Sequence, residues 1–193
     1  LADRFAPGMD WVRRTATSQD FFITGDSGAG YVNPGHLVPP RTFSGLCSGL
    51  DTWEKHCERY YRQWDISISG FLIDGYAPPM TQEILDAYAR FSPDGITAQK
   101  VEPLSLHGSM PVVQMTSDLD NVEHGVSTIL EMARKPSPAF AMFRTVLWTP
   151  TQLKEMHDAV KTSPEGENVA IVDPYSFFLL ARQFLTKGVS PEV

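Results

Sequence analysis

From residue 51 onward the apolar positions fall into a helical rhythm. Trp53, Cys57, Tyr60, Tyr61 and Trp64 recur at i, i+4, i+7, i+8 and i+11, which is one face of an amphipathic helix. Asp51 stands where an N-cap belongs, and Glu54 three residues later completes a capping box. Shorter apolar runs alternate with such stripes. Phe21–Thr24, Ile66–Ile73, Gly95–Ala98, Pro111–Met115, Ala141–Trp148 and Val169–Val172 read as strands. Helices are predicted over Thr81–Phe91, with Ile84, Tyr88 and Phe91 on one face, and around Val122, Val126, Ile129, Leu130 and Ala133. Thr149-Pro150-Thr151-Gln152 opens another helix, and Asp173-Pro174 opens the last, which Gly188 closes. The stretch from Asn33 to Leu50, broken by Pro34, Pro39 and Pro40, has neither rhythm.

Strand and helix alternate about five times, so the expected fold is α/β, with mainly parallel strands and helices packed outside them. An open doubly wound sheet and a (β/α) barrel both fit. The 193 residues suit a single domain spanning 1–193. A net charge of −7 argues against a nucleic-acid partner. No apolar run is long enough to span a membrane. The five histidines lack ligand spacing, so no metal site and no cofactor are expected. Cys47 and Cys57 leave open a disulfide or two separate thiols. The chain begins at Leu1 rather than Met, which leads us to expect a piece of a longer polypeptide.

Parallel sheets gather function at the carboxyl ends of their strands. The polar and aromatic residues there are Asp26 and Ser27, Asp74 and Tyr76, Ser117 and Asp118, Trp148, and Asp173 with Tyr175. Carboxylates beside aromatic rings suit a sugar site, because paired carboxylates do acid/base work on glycosidic bonds. Plainer roles compete: Asp173 as an N-cap, Asp118 and Asp120 as caps of the next helix, Asp74 as a turn residue. Arg144 lies within a strand and needs a carboxylate partner if it is buried. His107 precedes the Pro111 strand and is the histidine hardest to dismiss.

The segment Gly25-Asp26-Ser27-Gly28-Ala29-Gly30-Tyr31-Val32-Asn33-Pro34 is the most distinctive. Gly28 and Gly30 permit a tight turn and close approach to a ligand. Its GDSG resembles the nucleophile block of trypsin-like proteases, but those are all-β. It also resembles the GDS block of SGNH esterases, with Ser27 as nucleophile, although their late DxxH is missing. Gly28–Pro34 further resembles the motif naming the GxGYxYP putative glycoside hydrolases, with Asn33 in place of the second Tyr. Asp20–Ile23, Val169–Tyr175, and Phe143-Arg144 ahead of Trp148-Thr149-Pro150 resemble the same family's C-terminal domain.

That resemblance implies the later part of a (β/α)-barrel-like domain in exported, carbohydrate-associated proteins. The family's earlier acidic, DGDN-like strand has no room here, so the barrel is expected to be incomplete. It would be completed by upstream polypeptide or a partner chain, and would expose an apolar edge until then. The expected function is carbohydrate binding or processing in an extracytoplasmic setting. A non-catalytic module on the same fold and a Ser27 esterase are the alternatives. The candidate catalytic pair is Asp26 and Asp74. Gly28, Gly30, Tyr31, Tyr76, Asp118, Arg144, Trp148 and Tyr175 are the candidate substrate-binding residues. Asp26, Tyr31, Asp74 and Trp148 are expected to line one cleft.

Overall fold

Thr81 supplies the side-chain oxygen that Ile84 N–H needs at the start of helix α3 (Gln82–Phe91). This is the local chemistry expected of a cap. The computed structural model describes residues 4–41 and 44–188. Their other helices are α1 (Ala6–Thr15), α2 (Leu50–Trp64), α4 (Val122–Ala133), α5 (Pro150–Thr162) and α6 (Pro174–Lys187). The strands are β1 (Ile68–Leu72), β2 (Gly95–Ala98), β3 (Leu104–His107), β4 (Met110–Gln114), β5 (Ser117–Leu119) and β6 (Phe143–Thr145).

The fold is mixed α/β with a mainly parallel sheet. Its order is β1-β2-β4-β3, with β1, β2 and β4 parallel and β3 antiparallel to β4. The chain leaves that sheet after β4. Met115 N–H donates to Ala98 O at 2.8 Å, and the next amide, Thr116, donates to Met142 O at 2.8 Å. One continuous stretch thus passes from the edge of β2 to the edge of β6, and β5 and β6 form a parallel pair. The first strand candidate survives as one parallel bridge, Thr24 to Ser69, beside β1. Gly70 permits it: a Cβ there would meet Thr24 O at 2.7 Å.

Both faces of the sheet are covered. Leu72, Ile96, Ala98, Met110 and Val112 pack under α2 and α3. There the Trp53, Tyr61, Tyr88 and Phe91 rings meet edge-on or tilted at 4.8–5.3 Å. Ile68 and Val113 face the other way and pack on Phe177 and Phe178 of α6. Helices therefore lie on two sides, not only outside a ring of strands. Among the described residues the strands do not close into a barrel. Val169–Val172, expected as the next strand, forms no ladder. Among the described residues its backbone bonds are at Val169, to Gly166 O and from Lys161 Nζ.

Several local expectations are met. Asp173 accepts from the amides of Tyr175 and Ser176 at 2.9 and 3.0 Å, and Gly188 ends α6 at φ 63. Thr149 and Gln152 form the capping box of α5. Others are corrected. Helix α2 begins two residues early, with Gly49 rather than Asp51 at its N-cap, because Leu50 turns into the core. Asp51 then pairs with Lys55 at 2.8 Å, and Glu54 clamps Arg90. Asn121, not Asp118 or Asp120, caps α4 through His124 N–H at 2.9 Å. Cys47 and Cys57 are free thiols, one exposed and one buried. Helix α1 and strand β3 were not anticipated. No helix of the described residues is long and apolar enough to cross a membrane.

Candidate active site at the strand ends

The glycine-rich loop is folded by its own polar groups. Ser27 N–H and Oγ both donate to Gly30 O, at 3.3 and 2.7 Å. Gly28 and Gly30 take φ values of 88° and 65°, a region that favours glycine. At Gly28 there is also no room: a Cβ would lie 2.8 Å from Tyr61 Oη and 3.3 Å from Cys57 Sγ. Tyr88 Oη donates to Ser27 O at 3.2 Å, pinning the loop to α3. Ser27 is 2% exposed, and its hydroxyl contacts no base.

The loop closes over the end of β1. Asn33 Nδ2 donates to Ile73 O at 3.3 Å, which gives this departure from the expected tyrosine a clear role. Asp26, itself at φ 59, has the Ile73 backbone near enough to favour its charged form. Burial raises the Asp26 pKa above the ordinary carboxylate value, and the Ile73 amide only partly offsets this.

Asp74, two residues beyond β1, has a different job. Its carboxylate is fully buried and accepts Gln99 N–H at 2.7 Å and Lys100 N–H at 3.3 Å. Gln99 returns the contact, accepting Gly75 N–H at 2.8 Å. Asp74 therefore ties the loops after β1 and β2 together, with no surface left for a substrate.

A second carboxylate stands where the sequence suggested only a binding residue or a cap. Asp118 of β5 and Arg144 of β6 are direct partners in the parallel register. Arg144 Nε donates to Asp118 Oδ1 at 2.7 Å, and Nη2 donates to Oδ2, a two-pronged fork. The guanidinium lowers the Asp118 pKa, and Asp118 in turn raises that of Arg144. The guanidinium carbon sits 5.5 Å from the centre of the Phe71 ring, within cation–π range. The Tyr31 hydroxyl is near enough to act electrostatically on Arg144. Phe71 was missed in the sequence. The register of β1 slips between Ser69 and Leu72, so both of those pack toward the α2–α3 side. The slip leaves Phe71 to meet Arg144.

Tyr31, Phe71, Asp118 and Arg144 thus gather around the carboxyl ends of β1, β5 and β6, while Asp26 lies on the loop that closes over the end of β1. Tyr31 and Tyr76 are exposed, at 84% and 101%. Trp148 does not join them. It packs with Leu119, Ile129, Met156 and Val160 under α4 and α5, close against Gly125. Tyr175 is likewise turned inward, donating to Phe22 O at 3.0 Å. His107 Nε2 pairs with Asp86 at 2.6 Å on the far side of β4. Among the described residues no three His, Cys, Asp or Glu side chains group as metal ligands.

A mixed α/β domain that carries polar and aromatic residues on its parallel strands and on the loops at their carboxyl ends is the class defined by this fold and site. The chain belongs to the GxGYxYP putative glycoside hydrolase C-terminal domain family, whose model matches residues 2–182. Comparison with curated proteins and with solved structures gives no match.

Proposed function

We propose that this domain binds and processes a carbohydrate at the carboxyl ends of β1, β5 and β6. One observation carries the reading: the Asp118–Arg144 fork, laid over Phe71 beside exposed Tyr31, with Asp26 on the adjoining loop. The two carboxylates are pushed apart in acidity, Asp26 upward by burial and Asp118 downward by Arg144. Such a split is how acid and base roles are divided at glycosidic centres. Asp26 is the proton donor in this scheme, and Asp118 is the carboxylate that remains ionised. Tyr31 and Tyr76 offer ring faces to the sugar. Family membership supports the carbohydrate class, and we propose an extracytoplasmic location with it. The parallel pairings of Thr24 with β1, of β1 with β2, of β2 with β4 and of β5 with β6 support a (β/α)-barrel-like parentage.

A binding module without catalysis is the second reading. It is favoured by Asp74, whose carboxylate is committed to two backbone amides. Hydrolysis and binding assays on a panel of polysaccharides, with wild type, Asp26→Asn and Asp118→Asn, separate the two. Cleavage lost with binding retained in Asp26→Asn supports catalysis. Binding with no cleavage by wild type supports the module, and neither activity on any saccharide rejects both. Cell fractionation with export-competent and export-blocked forms tests the location.

A further inference from the structure

We infer that Arg144 and Asp118 together grip adjacent hydroxyls of a neutral sugar, and that the site discriminates against uronic acids. The inference rests on the carbohydrate reading above and adds the class of sugar.

Arg144 spends Nε and Nη2 on Asp118. Among the described residues its Nη1 has no hydrogen-bond partner, and it is not one of their buried unpaired polar atoms, so its two N–H donors are open to solvent. The Asp118 side chain is 42% exposed, and its carboxylate keeps lone pairs beyond those the fork uses. A free donor and a free acceptor therefore stand side by side. Hydroxyls on adjacent ring carbons match that pair: one donates to Asp118 while its neighbour accepts from Arg144 Nη1. Phe71 beneath the guanidinium restricts its plane and so fixes where the donors point.

Charge decides against an acidic sugar. The fork is neutral as a unit, since Asp118 already balances Arg144. A ligand carboxylate would place two anions against one guanidinium. The chain's net charge of −7 adds long-range repulsion.

The test titrates the protein with neutral polymers (mannan, galactan, β-glucan) and with uronate polymers (polygalacturonate, alginate), at low and physiological salt. The expected result is binding of a neutral polymer, insensitive to salt, and abolished when the adjacent hydroxyls are O-methylated. Arg144→Lys should weaken that binding by about tenfold, as loss of a charged hydrogen bond does, with the melting temperature retained. Asp118→Asn should weaken the neutral ligand and strengthen uronates, because it frees the guanidinium charge. Wild-type preference for uronates, or binding that survives O-methylation, overturns the inference and leaves the carbohydrate reading standing. Failure to bind any polymer of either set overturns both.

Discussion

Asp74 at the end of β1 accepts the amide of Gln99 at the end of β2, 2.7 Å away, and is itself wholly buried. The bond joins two loops that are also linked by Lys100 N–H to Asp74, Gly75 N–H to Gln99 Oε1 and Lys100 Nζ to Ala77 O.

Asp74→Ala should therefore act on stability. It strands the Gln99 and Lys100 amides in a dry site, a loss of about 1–3 kcal/mol for an unmet buried donor. Chemical denaturation is the measurement. Any functional defect should follow the unfolded fraction and recover at lower temperature. A variant as stable as wild type but inactive would return Asp74 to the catalytic list.

Asp26→Asn should behave in the opposite way. The folded pKa of Asp26 is raised by burial. Its contribution to stability is thus complete below the unfolded value of about 3.9 and is lost as pH rises through the folded one. At neutral pH the charge opposes folding. Asn tolerates the left-handed backbone and keeps a side-chain acceptor beside the Ile73 backbone. The melting temperature should hold or rise, while turnover of any cleaved polysaccharide falls and its alkaline limb disappears from the pH profile.

Gly28→Val should cost well over the ~1 kcal/mol typical of an exposed helix glycine. The backbone is left-handed, and the new side chain would push Tyr61 Oη from its 2.6 Å bond to Ser69 Oγ. Gly30→Ala has the same sign of φ but open space, so its loss should be smaller, about 1 kcal/mol. Equal losses at both positions would remove the packing argument. Thermal denaturation of the two variants side by side decides it.

Alkaline solution should unfold the protein early. Burial pushes the Cys57 thiol up to about 12 and the Tyr61 phenol up to about 12. Both groups are folded in their neutral forms. Their contribution is intact below the unfolded values of about 8.5 and 10, and is lost as pH rises toward 12. Each removes about 1.4 kcal/mol per pH unit across that window. Urea titrations from pH 8 to 11 should show the midpoint falling, and Cys57→Ala should flatten the lower part of the fall at some expense in packing.

How much was readable depended on how far apart the interacting groups lie in the chain. The caps at Thr149 and Asp173 were legible because a short side chain and the amide it binds are two or three residues apart. The α2 stripe was legible because helical period alone places Trp53, Cys57 and Tyr61 together. Strand β3 could have been read: Leu104 and Leu106 alternate with polar residues, and Gly108-Ser109 is a two-residue hairpin turn, with Gly108 at φ 60. Asp74 could not, since its partners are 25 and 26 residues away. Trp148 looked like a sugar platform by its place at a strand end. The packing of α4 on α5 decided otherwise.

By itself the sequence determined the α/β class, the family and the glycine turn, because propensity, capping and a local motif act over a few residues. It also determined that Arg144, inside a strand, would need an acid. Only the tertiary structure decided that the acid is Asp118, that Phe71 lies under the guanidinium, and that α6 covers the sheet face expected to line a barrel. Those outcomes depend on the register of β5 against β6, on the slip in β1, and on Phe177 and Phe178 finding apolar surface on Ile68 and Val113. Register and burial are set by the whole core at once, so no single segment carries them.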